Sequence, residues 1–389
     1  MLRAATASPS QVTDLRRLID EARGFALRSR ERAVALDTDD AFPAEDMAEL
    51  AGLGLLQAPL PAACGGVGLA TTAAAGREGA VVLALIGWGN LAVGRLFEGH
   101  VNAIQLVATY GTPGQLGRFA DEAARGRLFG VWNTQSPESG VRLLARGNRI
   151  VLDGAKTFAS GAGYVARPLI TAATSAGEIL MVMPQLDGNP ARADVGTWRA
   201  HGMRASATGR YDFTGLAVEG GDIIGAKGDY HREPAFSGGA WRFLAVQLGG
   251  MDRLLDELRH HLCAAGRGDD AYQLARTGQA AVAVETARLW VERAADMALR
   301  PGAAGNADEV VAYTGLARTA VERAGLDVME GVARSIGLSG FLRTHPVERV
   351  ARDLATYLRQ PAPDRALAVA AAHVLANSAP SCDLWRTLV

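Results

Sequence analysis

Among the 389 residues, those best suited to chemistry are scattered, and few stand at the spacings that proton transfer or metal binding requires. The string RQPAPDRAL holds one carboxylate, Asp364, which follows Pro363 at the start of a helical pattern. An acid there serves as an N-cap or first-turn residue, and it is also the group in that loop able to accept a proton. Gln360 beside it can hydrogen-bond a carbonyl but cannot act as a base. His345, in RTHPVERVARD, titrates in a useful range, yet a lone histidine before a proline is more often a surface or interface residue. Two polar loops, WNTQSPESG and GAKTFASGA, bring an aromatic residue close to hydrogen-bonding groups. Read by themselves, Phe158 is part of a β core and Ser160 a turn residue.

Helices and strands must position these groups, and their order can be read from periodicity. From Ser10 to about Ala35, Leu15, Leu18, Ile19, Ala22 and Ala26 share one helical face. PAEDMAELAGLGLL opens a second helix with Pro43 and acids in its first turn, and helical signal continues to about Gly126. Between Leu128 and Gly220 the pattern changes. RIVLDGAKTF sets an Asp-Gly turn between apolar runs, EILMVMP is a short apolar run, and GRYDFTGLAV alternates Tyr211 and Phe213 with polar neighbours. From Phe236 helices return. In AVAVETARLWVERAADMALR, Glu285, Arg288, Glu292, Asp296 and Arg300 form one polar stripe; the rest is apolar and is expected to be buried. A last helix starts near Asp364. The expected fold is mainly α with a central β domain: an N-terminal helical domain (1–127), a middle β domain (128–225) and a C-terminal helical bundle (226–389).

Lys and Arg total 40 against 41 Asp and Glu, a net charge of −1 that gives no reason to expect nucleic acid or an anionic membrane as partner. No stretch reads as a membrane span or a secretory leader. Cys64, Cys263 and Cys382 lie far apart without a Cys-x-x-Cys pair, so no metal site or disulfide framework is expected, and a cytoplasmic setting is. Aromatics are sparse and Ala and Gly abundant, the balance of helices that pack closely through small side chains.

From about Phe42 to His373 the order of local strings resembles the acyl-CoA dehydrogenase family. FPAEDMAELAGLGLLQAPLPAACGGVG is similar to its opening helix and Gly-rich turn, YGTPGQLGRF to the segment leading into its β domain, and WNTQSPESG to its Thr-Glu-Pro, Gly-Ser loop. LDGAKTFASGA resembles Gly-x-Lys-x-Trp-Ile-Thr, HGMRASATGRYDF resembles Gly-x-Arg-x-Ser before a strand, and SIGLSGFLRTHPVERVARDL resembles the Gly-Gly-x-Gly-Tyr, Pro-x-Glu-Arg, Arg-Asp signature. The resemblance implies a bound FAD, a homodimer or homotetramer, and a small-molecule substrate such as an acyl thioester. By motif position Trp132, Asn133 and Thr134 supply donors near flavin N1, Ser160 a contact near N5, and Phe158 a flat wall. Gly337 and Gly340 let a neighbouring subunit's backbone approach the dinucleotide. Arg267 is the nearest counterpart of the family's pyrophosphate arginine, with Arg259 second.

The family's catalytic base is missing. Counted from Arg352-Asp353, its glutamate falls at Pro361, and a second known location aligns near Gly239. Neither side chain can accept a proton. Asp364 is then the nearest catalytic candidate, and the pocket walls read as ordinary apolar helix faces. Three functions remain open: dehydrogenation of an acyl thioester with a relocated base, flavin-dependent oxygenation on the same fold, for which GMRASAT and nearby Trp198 speak, or a non-catalytic flavin-binding paralogue.

Overall fold

The computed structural model describes residues 8–135, 140–186 and 190–385; positions 136–139 of the WNTQSPESG loop and the first seven residues lie outside them. The described residues open with the helices α1 (Pro9–Arg32), α2 (Ala44–Gly52), α3 (Gly76–Gly89), α4 (Leu91–Tyr110) and α5 (Pro113–Ala124). α1 starts where the Ser8 side chain accepts the Gln11 N–H, with Pro9 in the first turn, and it buries Leu15, Leu18, Ala22, Phe25 and Ala26. α5 is opened by a capping box between Thr112 and Gln115.

Among the described residues ten strands follow: β1 (Phe129–Trp132), β2 (Arg142–Arg146), β3 (Arg149–Asp153), β4 (Ala155–Ala159), β5 (Arg167–Ala173), β6 (Ile179–Val182), β7 (Ala193–Asp194), β8 (Gly209–Asp212), β9 (Ala217–Val218) and β10 (Ile223–Ile224). One sheet has the order β10-β6-β5-β2-β3-β9, with β1 running parallel to β5; a smaller sheet has the order β4-β8-β7. The Asp153-Gly154 turn therefore does not close a hairpin. It is the corner where the chain leaves one sheet for the other, and Gly154 takes it with φ 112°. The antiparallel hairpin is one step earlier, β2 to β3.

The C-terminal helices are α6 (Ala235–Gly238), α7 (Trp241–Ala264), α8 (Ala271–Leu299), α9 (Ala307–Ile336), α10 (Pro346–Tyr357) and α11 (Pro363–Ala376). α7 crosses α3 with almost no side chain between them: a Cβ on Gly249 would sit 2.0 Å from the Ala84 carbonyl oxygen, and one on Gly87 2.3 Å from that of Val246. The glycine-rich composition is thus used for direct backbone contact. α8 departs from expectation. Its apolar residues are not all inside, since Val282 is 68% and Leu289 60% exposed.

α10 fastens the β region to the helices. Asp353 Oδ1 accepts the Met203 N–H at 2.6 Å. Arg352 donates to the His201 carbonyl and to Asp37, each at 2.6 Å, and Arg204 donates to Asp39 at 2.7 Å. Gly202 lets the strands come this close, as a Cβ there would meet the Arg352 carbonyl oxygen at 2.2 Å. Burial pushes the Asp353 carboxyl up to about 6, against the opposing pull of Arg349, the Met203 N–H and Arg352.

Candidate active site

β4 slips register between Lys156 and Ala159, and at that bulge Phe158 adopts φ +53° and turns outward, 61% exposed. A non-glycine residue in the left-handed region costs about 1–3 kcal/mol and persists where its surroundings impose it. Met203 (φ +58°) and Ala207 (φ +41°), on the segment that α10 holds, share this conformation. Trp198, on the same stretch, meets Phe158 edge-to-face at 5.9 Å, and its buried indole N–H has no hydrogen-bond partner.

Beside this aromatic ledge, Thr208 donates to Ser160 Oγ at 3.1 Å, and Ser206 lies 2.7 Å from Thr208. Ser160 thus accepts within the fold and keeps its own hydroxyl hydrogen for another partner. Thr134 is exposed at the end of β1, its carbonyl taken by the Thr157 N–H at 2.9 Å. Asn133 Oδ1 accepts the Thr171 N–H at 2.7 Å, which fixes the amide and leaves its buried NH2 without a partner. Trp132 is placed differently from the other residues of its loop. It is 2% exposed, packs on Tyr211 and Phe213, and spends its indole N–H on the Ser160 carbonyl at 2.9 Å. It supports the ledge from inside and has no donor to offer. Buried Lys156 donates to Gln135 and Thr171, and burial lowers its ammonium to about 8.

A second group of polar residues, unforeseen in the sequence, converges in the cleft region where α4, α7 and α10 pack together. Glu98 on α4 is 2% exposed and accepts from Arg95 and from Asn102. Arg242 on α7 donates to the Ala70 carbonyl at 2.9 Å and to Asn102 and Gln105 at 3.2 Å each. Burial brings its guanidinium down to about 10, with Glu98 opposing, so it stays charged at neutral pH. For Arg95 burial pulls the same way, but Glu98 outweighs it and the guanidinium is raised. The Tyr357 hydroxyl at the end of α10 faces Glu98 and Arg95, has no hydrogen-bond partner, and is held neutral chiefly by burial. Tyr230, raised by burial too, lies beside Asn133 and Arg95 and so links this cleft to the ledge. No charge was expected on these helix faces. The available signal was Arg95 and Glu98, three apart, inside the otherwise apolar LAVGRLFEGHVNAI.

The remaining candidates lie elsewhere. Gly239 stands next to Arg242, with 3.1 Å between a Cβ built there and Nη1. Pro361 is exposed, its carbonyl accepting from Arg318 at 2.6 Å. Asp364 is an exposed acid in the first turn of α11. Gln360 donates to the Tyr357 carbonyl at 2.8 Å, and His345 caps α10 by accepting the Val347 N–H. Arg267, exposed in the α7–α8 turn near Asp270, and Gly337, at the end of α9 with φ +74°, are not brought to the ledge. Gly340 packs on Ile336 and Val347, and Arg259 pairs with Asp256. No group of three or more His, Cys, Asp or Glu among the described residues could hold a metal ion.

Helices, a β region with an aromatic ledge and a closing helical bundle define a fold shared with solved flavin-bound proteins. A dibenzothiophene monooxygenase, TdsC from Paenibacillus sp. A11-2, solved also with FMN and indole, superposes with TM-score 0.78 at 21% identity over 93% of this chain and 97% of that one. KijD3, solved with FMN and a dTDP-linked amino keto sugar, gives TM-score 0.83 at 18% identity over 98% and 97%. Residues 13–127 match the model for the acyl-CoA dehydrogenase N-terminal domain. The cyclohex-1-ene-1-carbonyl-CoA dehydrogenase of Geobacter metallireducens is 27% identical over 86% of this chain and 90% of its own length. The match to the acyl-CoA dehydrogenase N-terminal domain thus covers the first helical region, and the fold of the whole chain is the one these solved structures share.

Proposed function

We propose that this chain is a flavin-dependent oxidoreductase whose flavin ring lies against the Phe158–Ser160 ledge, with substrate entering from the α4–α7–α10 cleft. The observation that carries this reading is an exposed aromatic on constrained backbone beside three uncommitted donors, the Ser160 hydroxyl, the Trp198 N–H and the Asn133 NH2. A flavin needs such a wall, and donors where negative charge gathers on reduction. The bound flavin would supply a two-electron acceptor that, once reduced, also reacts with oxygen. FAD is the form the family pattern suggests, with the Arg267 and Gly337 end of one subunit serving its neighbour; FMN, found in TdsC and KijD3, is the alternative.

Within this class the cleft favours oxygen-using chemistry over α,β-dehydrogenation of an acyl thioester. Dehydrogenation needs a base for the α-proton, a contribution of roughly 10²–10⁴-fold. Pro361 and Gly239 occupy the two family positions, Asp364 is an exposed first-turn acid, and Glu98, the buried carboxylate that faces the cleft, is engaged on both oxygens. The test is the visible spectrum of the purified protein, identification of the flavin released on denaturation, and anaerobic mixing with saturated acyl-CoA thioesters. A yellow protein that these thioesters fail to bleach is expected. Rapid bleaching would refute the oxygen-using reading, and a colourless protein that takes up neither FAD nor FMN would refute the flavin itself.

A further inference from the structure

We propose that Arg95, with the Tyr357 and Tyr230 hydroxyls beside it, is a subsite for a carboxylate group on the substrate. The inference rests on the flavin reading for the claim that substrate occupies this cleft, but the anion chemistry stands on the cleft's own residues. Two guanidinium groups, Arg95 and Arg242, face one carboxylate, Glu98. Arg242 spends its donors on neutral oxygens. Among the described residues one of these two positive charges is left without a counter-ion, a costly arrangement unless an anion arrives.

Arg95 is the guanidinium positioned to receive it. Among the described residues its fork reaches Glu98 through Nη1, and a quarter of its side-chain surface remains open to solvent within the cleft. A planar fork with free N–H groups matches a carboxylate in a two-point contact. Tyr357 Oη is buried and unpartnered. Tyr230, between Asn133 and Arg95, adds a further hydroxyl. Such a donor-rich lining rejects an ammonium group by charge. A hydrocarbon chain would cover it without satisfying any donor. The single excess charge suits a monoanion better than a phosphate dianion.

The flavin-loaded protein is titrated with acetate and benzoate, and in parallel with acetamide and benzamide, following the visible band of the flavin and the heat of binding. Saturable binding of a carboxylate, with the matching amide at least tenfold weaker, is expected. Arg95→Gln should weaken carboxylate binding at least tenfold while flavin binding, read from the spectrum, is retained. Because Arg95→Gln leaves Glu98 without its ion-pair partner, Arg95→Gln with Glu98→Gln is made as well, and the same loss is expected in that folded, charge-neutral pair. Equal binding of acid and amide, or unchanged carboxylate affinity in the double variant, would overturn the proposal. Should the protein bind no flavin, the functional reading falls, and calorimetry with the same four probes still decides the subsite.

Discussion

Ser160 has a hydroxyl hydrogen to spare because Thr208 donates to its oxygen, while Thr134 has its carbonyl occupied and its side chain free. If both face the flavin, Ser160→Ala and Thr134→Val should each weaken flavin binding by about 0.5–1.5 kcal/mol, or shift its potential, without unfolding the chain. Fluorescence titration with the flavin and a spectroelectrochemical measurement give the answer, and no change in either variant would mean that the ring lies elsewhere. Asp353 makes a different prediction. Its carboxyl is raised to about 6 in the fold by burial, so the folded state holds the proton more tightly than the unfolded chain. Its contribution to stability is therefore complete below about pH 4 and is lost as the pH rises through about 6. Asp353→Asn keeps an oxygen for the Met203 N–H without the charge. Its stability by denaturant unfolding should gain on wild type between pH 4 and 7, whereas the opposite trend would mean that the neighbouring arginines outweigh burial.

Between elements, the α3–α7 crossing offers the clearest test of how composition becomes packing. With Ala84 and Trp88 backbone atoms 2.0 and 2.6 Å from a Cβ at position 249, Gly249→Ala must push the helices apart. A loss of about 1–3 kcal/mol or more is expected by urea unfolding; an unchanged midpoint would show that the crossing is looser. The order of helices and strands was legible because periodicity and turn residues act locally: Pro9, Pro43 and Pro363 each stand near the helix start that their surroundings announce. Sheet membership was not. Asp153-Gly154 has the same local chemistry whether it folds a hairpin or turns a corner between sheets, and distant pairing decides. The ledge residues Phe158 and Ser160 were found through motif resemblance, whereas Arg95, Arg242 and Tyr357 come from three separate helices and share no spacing. Their convergence is a tertiary fact.

For the whole molecule, the exposed apolar side of α8 bears on assembly. Val282 and Leu289, seven residues apart and both largely exposed, lie on the same face of that helix, and a groove between α8 and α9 runs past Val282 and Ala283. A homodimer or homotetramer is expected by light scattering, and Val282→Glu with Leu289→Glu should shift it to a smaller species; a wild-type monomer at micromolar concentration would refute this. The fastening by α10 has a consequence in time. Arg352 reaches Asp37 across 315 positions, and Asp353 reaches Met203 across 150. Contacts that span so much chain close late, and during synthesis they cannot form until the chain has emerged from the ribosome past Asp353. A nascent chain ending before Pro346 would already contain Phe158, Ser160 and Trp198, but would lack the Asp353 and Arg352 bonds that help hold the 198–208 segment in its left-handed bends. Loading of the cofactor is thus expected to wait for α10, and chains terminated before it should contain the binding residues yet never turn yellow.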